Sequence, residues 1–275
     1  MNTRIRLIEE LSLNAHPAIQ TELFDGWILR FANGYTGRSN SVNMLYPSEI
    51  DLETKIDFCE QKYKAQNLPA IFKIIDAESE DNHKKIDDLL KARGYEIVTP
   101  TDLMTLDLGD NTTPKNGRVK GLNEVSLDRP YLSKTDFCKC EDFVCFDFAN
   151  SEWTDAYFNF ANVTSEKTQQ IAKQIMNLIQ NKKMYCSIIK DNKIVACASV
   201  IIENGFAYLS QVVVQKEERG NGYGKLLCQS LLTQAKQNGA HTMYLQVLQN
   251  NDVAINLYKK LGFQKEYSYW YRRQK

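Results

Sequence analysis

Apolar and polar positions follow two periods along this chain, and the switches between them mark out its elements. "MNTRIRLIEELSL" repeats apolar residues at helical spacing and predicts a helix over residues 3 to 13. "TELFDGWILRFA" predicts a strand containing an Asp25-Gly26 turn, and "SVNMLYP" a second strand. Residues 51 to 66 have a helical pattern, "AIFKII" is a buried strand, residues 82 to 92 form a helix closed by Gly94, and "DLMTLDL" is a strand. The polar run "GDNTTPKNGRVKG" has no apolar period and reads as a linker.

Periodicity resumes near Leu122. The aromatic segment "DFVCFDFANSEWTDAYFNF" leads into a helix at about 165 to 180. "MYCSIIKDNKIVACASVIIENGFAYLSQVVVQ" predicts three antiparallel strands joined at Asp191-Asn192 and Asn204-Gly205. A glycine-rich loop follows, then a helix to about Gln237 with Leu226, Leu227, Leu231, Leu232 and Ala235 on one face. "HTMYLQVL" is a strand, Asn251 or Asp252 caps a helix that Gly262 ends, and "YSYWYRR" is the last strand, with Tyr267, Tyr269 and Tyr271 on one face. "LLKARGYE" at 89 to 96 parallels "LYKKLGFQ" at 257 to 264, and that alignment sets Leu90 on Tyr258. The halves read as copies of one fold, of which only the second has the glycine loop.

Composition narrows the function. With 34 basic and 34 acidic residues in 275, bulk charge gives no reason to expect nucleic acid or an anionic membrane as partner. No apolar run approaches the roughly 18 residues of a membrane span, and the N-terminal pattern is not that of a signal peptide. Seven cysteines without paired spacing fit a reducing compartment, and a cytoplasmic location is expected. Cys138, Cys140 and Cys145 lack the spacing of a zinc site, so no metal is expected; the cysteines, Cys186, Cys197 and Cys228 among them, read as small core residues. His16, His83 and His241 show no partner spacing.

In "VVVQKEERGNGYGKLL", glycines at 220, 222 and 224 sit between a valine run and a helix start, where free N–H groups suit an anion. A phosphate-binding Walker loop fails, because its first glycine would be Arg219 and Lys225 is followed by Leu226. A dinucleotide fingerprint fails too, since GxGxG follows an antiparallel meander here. "RGNGYG", with Arg219, Gly222 and Gly224 in the Gln/Arg-x-x-Gly-x-Gly/Ala positions, instead resembles the acyl-CoA pyrophosphate loop of the GNAT superfamily of N-acyltransferases. The resemblance continues through "YLQV", Asn251 and "AINLYKKLGF" and covers about residues 130 to 275; the first half resembles the degenerate partner domain of tandem members.

That resemblance implies an α/β (α+β) protein of two GNAT-like domains, each a mixed, mainly antiparallel sheet flanked by helices. A degenerate domain would span 1–110, a linker 111–126 and a catalytic domain 127–275. It implies acetyl-CoA as cosubstrate, held by Val212, Val213 and Val214 along its pantetheine arm. Arg219, Gly220, Asn221, Gly222, Tyr223, Gly224 and Lys225 would surround the pyrophosphate, and Asn251 and Asn256 would also contact the cofactor. Tyr258 would be the general acid, although it also fits a core tyrosine, as Asn251 fits a helix cap. Gln246 stands where many relatives have a glutamate, so the base is open between Glu203 and a water held by Ser210 or Gln211. The expected activity is acetyl transfer to a primary amine of a small molecule or peptide; the alternative is an acetyl-CoA sensor without turnover. Oligomeric state is open.

Overall fold

The structure, a computed structural model, describes residues 2–76, 81–109, 131–133 and 141–275. In the first half α1 (Thr3–Ala15) precedes β1 (Gln20–Phe24), β2 (Trp27–Phe31), β3 (Val42–Met44), α2 (Leu52–Ala65), β4 (Ile71–Asp76), α3 (Asp81–Ala92) and β5 (Glu96–Asp107). The second half contributes β6 (Tyr131–Ser133), β7 (Glu141–Phe146), α4 (Ser151–Phe160), α5 (Glu166–Leu178), β8 (Lys182–Lys190), β9 (Lys193–Glu203) and β10 (Phe206–Val214). It ends with α6 (Tyr223–Gln237), β11 (Thr242–Leu248), α7 (Asp252–Lys260) and β12 (Gln264–Arg273).

Local chemistry explains the boundaries. Asn2, Asp51, Asn150, Ser165 and Asn251 each cap a helix by accepting a backbone N–H in its first turn. The Asp25-Gly26 turn has positive φ at both residues, 40° and 77°, which lets Phe24 pair directly with Trp27. The aromatic segment resolves into strand β7 and the separate helix α4, where Thr154 and Phe158 are buried four residues apart with Trp153 beside them.

Strand order departs from two side-by-side sheets. Among the described residues the twelve strands form one sheet in the order β1-β2-β3-β4-β12-β5-β11-β10-β9-β8-β7-β6. The halves have therefore exchanged their last strands: β12 lies between β4 and β5, and β5 pairs with β11. Each half keeps one parallel pair, β3 with β4 and β10 with β11, joined by a helix as a parallel connection requires. The echo seen in sequence is structural as well. Tyr95 N donates to Leu90 O and Phe263 N to Tyr258 O, both at 3.0 Å, which makes Leu90 and Tyr258 equivalent positions.

One face of the sheet carries α2 and α3 over β2–β4 and α6 and α7 over β5 and β8–β11. The other carries α1, α4 and α5, with Tyr208, Tyr244, Tyr267, Tyr269 and Tyr271 buried under α1. No helix among the described residues is long and apolar enough to cross a membrane. Cys59, Cys197 and Cys228 are buried thiols, as expected, but Cys145 and Cys186 do not stay separate. They face each other directly across β7 and β8 and are joined as a disulfide, a pairing that strand register decides and sequence spacing does not reveal. Cys138, Cys140 and the linker at 111–126 lie outside the described residues.

Candidate active site

The candidate site lies where two strands part. β10 and β11 pair only from Phe206 with Thr242 to Leu209 with Leu245. Beyond this β11 follows β5, whereas β10 stays with β9 through an irregularity between Ser210 and Val213. Gln211 marks that bulge with φ 56°, a conformation L residues rarely adopt. Val212–Val214 consequently have no strand partner on the β11 side among the described residues. Val212 and Val214 turn toward α6, Val213 toward α4.

The glycine loop closes one end of the parting. Gly222 is the N-cap of α6 with φ 89° and no side-chain cap, and the N–H groups of Gly224 and Lys225 have no partner among the described residues. A Cβ at Gly220 or Gly222 would meet nothing within 4 Å, so the loop faces open space, while Gly224 lies against Val214 and Leu257. Arg219 folds back so that Nε donates to Val214 O at 3.2 Å, and Asn221 donates to Glu218, itself paired with Lys190. Tyr223 is buried under the helix start. An uncapped helix N-terminus beside an unpaired strand edge fits a ligand with a phosphate head and an amide-bearing arm.

Tyr258, on α7, is 7% exposed and packs edge-on to Phe263. Its hydroxyl has no hydrogen-bond partner among the described residues. Burial, with lesser contributions from Cys228 and Tyr208, raises its pKa well above that of an ordinary phenol, so it stays protonated at neutral pH. Asn251 caps α7, Oδ1 accepting from Ala254 N at 3.2 Å, and Asn256 is exposed on the same helix; neither reaches the loop through a hydrogen bond in this structure.

Residues of the opposite face decide what else reaches the parting. Gln246 is engaged: its Oε1 accepts from the Tyr269 hydroxyl at 2.9 Å and its Nε2 donates to Ser12. Glu203 accepts from Asn14 and Asn181 and pairs with Phe206, at the opposite end of β10 from the bulge. It is out of place for a base. Ser210 and Gln211 share a tight cavity of about 20 Å³ with His16, Tyr35 and Ser199. Gln211 Oε1 accepts from Ser199 Oγ at 2.7 Å. Burial, then the guanidinium groups of Arg38 and Arg30, hold the His16 imidazole well below its usual pKa, so it is neutral at pH 7. His16 and Arg38 come from the first half, and no spacing in the sequence announces them; only the junction of the halves places them here.

The corresponding place in the first half is filled from within. Asp25 accepts from the N–H groups of Glu49 and Ile50, and Asp51 from that of Thr54, so carboxylates occupy donors at the start of α2. Leu90 replaces Tyr258. A phosphate would meet negative charge there.

Comparison with known proteins matches two separate stretches of the chain to two family models. Residues 146–263 match the acetyltransferase (GNAT) family, and residues 2–116 match a family described as the C-terminal part of the probable histone acetyltransferase Rv0428c. The chain is 28% identical over 269 residues to the uncharacterized N-acetyltransferase YobR of Bacillus subtilis, covering 98% of each. It is 34% identical over 79 residues to a [ribosomal protein bS18]-alanine N-acetyltransferase of Haemophilus influenzae, 28% of this chain and 51% of that protein. Among solved structures the fold is similar to a GCN5-related N-acetyltransferase from Kribbella flavida, with TM-score 0.66, 15% identity and coverage of 98% and 94%. It is also similar to a tandem GNAT protein from the clavulanic acid biosynthesis pathway, with TM-score 0.63, 12% identity and coverage of 97% and 87%. The second half thus matches the acetyltransferase (GNAT) family, while the chain as a whole is similar end to end to an N-acetyltransferase and shares the fold of tandem GNAT proteins.

Proposed function

We propose that the chain transfers an acetyl group from acetyl-CoA to a primary amine, with the second half holding the cosubstrate and both halves enclosing the acceptor. What supports this reading is that the uncapped α6 start lies against the unpaired Val212–Val214 edge, Gly224 packing on Val214 and on Leu257 of α7, and that Tyr258 of α7 belongs to the core cluster against which Val212 and Val214 pack. Acetyl-CoA supplies an activated acyl group whose carbonyl an amine nitrogen attacks, the C–N bond forming as the C–S bond breaks.

The chain's own groups do the rest. Backbone N–H groups at the α6 start, with Arg219 and Lys225 nearby, neutralise the pyrophosphate. The Val212–Val214 edge pairs with the amides of the arm, and an N–H there polarises the carbonyl oxygen. Tyr258 gives its proton to the departing sulfur. The neutral His16 imidazole, directly or through a water beside Ser210, receives the proton the amine loses. As the nitrogen bonds to the carbonyl carbon it becomes a cationic ammonium whose surplus proton is strongly acidic, so a weak base suffices to take it, and the other N–H stays on the amide product.

Calorimetric titration with CoA, followed by thiol release from acetyl-CoA across a panel of amines, tests this reading. One CoA site per chain and amine-dependent thiol release are expected. Absence of CoA binding overturns it, and binding without turnover on any amine favours a sensor.

A further inference from the structure

The first half brings an excess of positive charge to the acceptor side of the parting. Arg30, Arg38 and Lys73 lie near one another there, with Glu9 as the neighbouring carboxylate. Lys73 is balanced by Glu9, and Arg30, which has no carboxylate partner among the described residues, spends its donors on backbone carbonyls. Lys73 Nζ lies 2.5 Å from Glu9 Oε2, whose other oxygen accepts from Tyr267 at 2.6 Å. The Arg30 guanidinium donates to the backbone carbonyls of Leu13, His16 and Arg38.

Arg38 differs. It lies in a single 3-10 turn, Gly37–Ser39, packed against the Tyr271 ring, and its Nη1 donates to the Tyr208 hydroxyl at 2.7 Å. Among the described residues no carboxylate comes within ion-pair distance of it. Its surroundings are the phenols of Tyr208, Tyr269, Tyr271 and Tyr157, neutral groups that can share a ligand's oxygens but cannot balance a charge. A half-buried guanidinium without a counter-ion is unfavourable, and an anionic ligand relieves it. Tyr208 and Ser210 are alternate residues of β10 and so project to the same face, about 7 Å apart along the strand. A group bound by Arg38 and a nitrogen reacting at the bulge would thus be separated by only a few bonds.

We infer that the acceptor is a small amine bearing a carboxylate a few atoms from its reactive nitrogen, and that Arg38 with the Tyr208 hydroxyl binds that carboxylate. The inference rests on the acetyltransferase reading above. It makes Arg38, a residue of the half that lacks the glycine loop, the specificity determinant of the reaction. The competing explanation is that Arg38 and Tyr208 simply tie the two halves together.

The test uses the full chain and matched acceptors: glycine, β-alanine and 4-aminobutyrate, each beside its carboxamide, with taurine and aminomethylphosphonate as other oxyanions. Thiol release should favour a carboxylate over its amide by at least tenfold and over the other oxyanions. Arg38→Gln should erase that preference, raising KM for the acid by roughly 10- to 100-fold, and Arg38→Lys should restore part of it. CoA affinity by calorimetry should be retained in both variants. Equal use of acid and amide, preference for sulfonate or phosphonate, or a preference that survives Arg38→Gln overturns the inference. If none of the acceptors turns over, N-acetylglycine and its homologues are titrated with CoA present, reading melting temperature; absence of an Arg38-dependent rise also overturns it. Failure of CoA itself to bind would instead sink the acetyltransferase reading. A variant that does not fold is replaced by Tyr208→Phe, which removes only the phenol from the same site and should weaken the acid preference.

Discussion

Replacing Gly222 with valine separates two roles of the glycine loop, because the chain contains its own control. Gly222 at the start of α6 has φ 89°, and Gly239 just past its end has φ 90°; a Cβ at either would meet nothing within 4 Å. Valine at either position must adopt a left-handed conformation that costs an L residue roughly 1–2 kcal/mol or more, so both variants should lose similar stability in urea titration. Their ligand effects should differ. Gly222 adjoins the N–H groups of the first α6 turn, whereas Gly239 lies roughly 22 Å away along the helix at about 1.5 Å per residue. Two charge-assisted hydrogen bonds to a pyrophosphate at about 1.5 kcal/mol each amount to about 3 kcal/mol, or roughly 150-fold in CoA affinity. Calorimetry should therefore show a large loss for Gly222→Val and little change for Gly239→Val. Dephosphorylated pantetheine, which has no pyrophosphate, should bind both variants equally. Equal CoA affinity in the two valine variants would refute the placement of the pyrophosphate.

Tyr258→Phe should leave CoA binding and stability nearly unchanged, since no hydrogen bond to a described residue is lost, while kcat falls by up to roughly 10²-fold; unchanged turnover returns Tyr258 to packing alone. His16 gives a pH signature. Its folded pKa lies below 6.5, so its neutral form contributes full stability above about pH 6.5, and this is lost as pH falls toward the depressed folded value, because the unfolded chain takes up the proton first. Urea midpoints measured from pH 7 to pH 5 should drop less in His16→Asn than in the parent, and equal slopes would show that the imidazole is not held neutral. Residues 1–126 and 127–275 expressed separately should each fail to fold, because each lacks a strand that sits between two of its own. Co-expressed, they should assemble and gain about 2.7 kcal/mol from CoA at 100 times Kd; a well-folded 127–275 fragment alone would contradict the strand exchange.

Much of this protein is determined by local sequence. Helices α6 and α7, the meander of β8 to β10, the Asp25-Gly26 hairpin and the glycine loop each announce themselves within a dozen residues, since periodicity, caps and positive-φ turns are short-range effects. The glycine spacing, the helix that carries Tyr258 downstream and Leu90 in the matching position of the first half are likewise read within short stretches of sequence. Strand partnership is a different kind of fact. An alternating pattern shows that "YSYWYRR" has a buried face but not that β12 crosses to lie between β4 and β5, because backbone hydrogen bonds carry no sequence label. The same holds for the Cys145–Cys186 pairing and for the engagement of Gln246 by Tyr269 and Ser12. His16 and Arg38 stand far from the loop in sequence and reach the parting of β10 and β11 only because the halves share one sheet. Their chemistry there comes from desolvation and from neighbouring charges, and those exist only once the chain is folded.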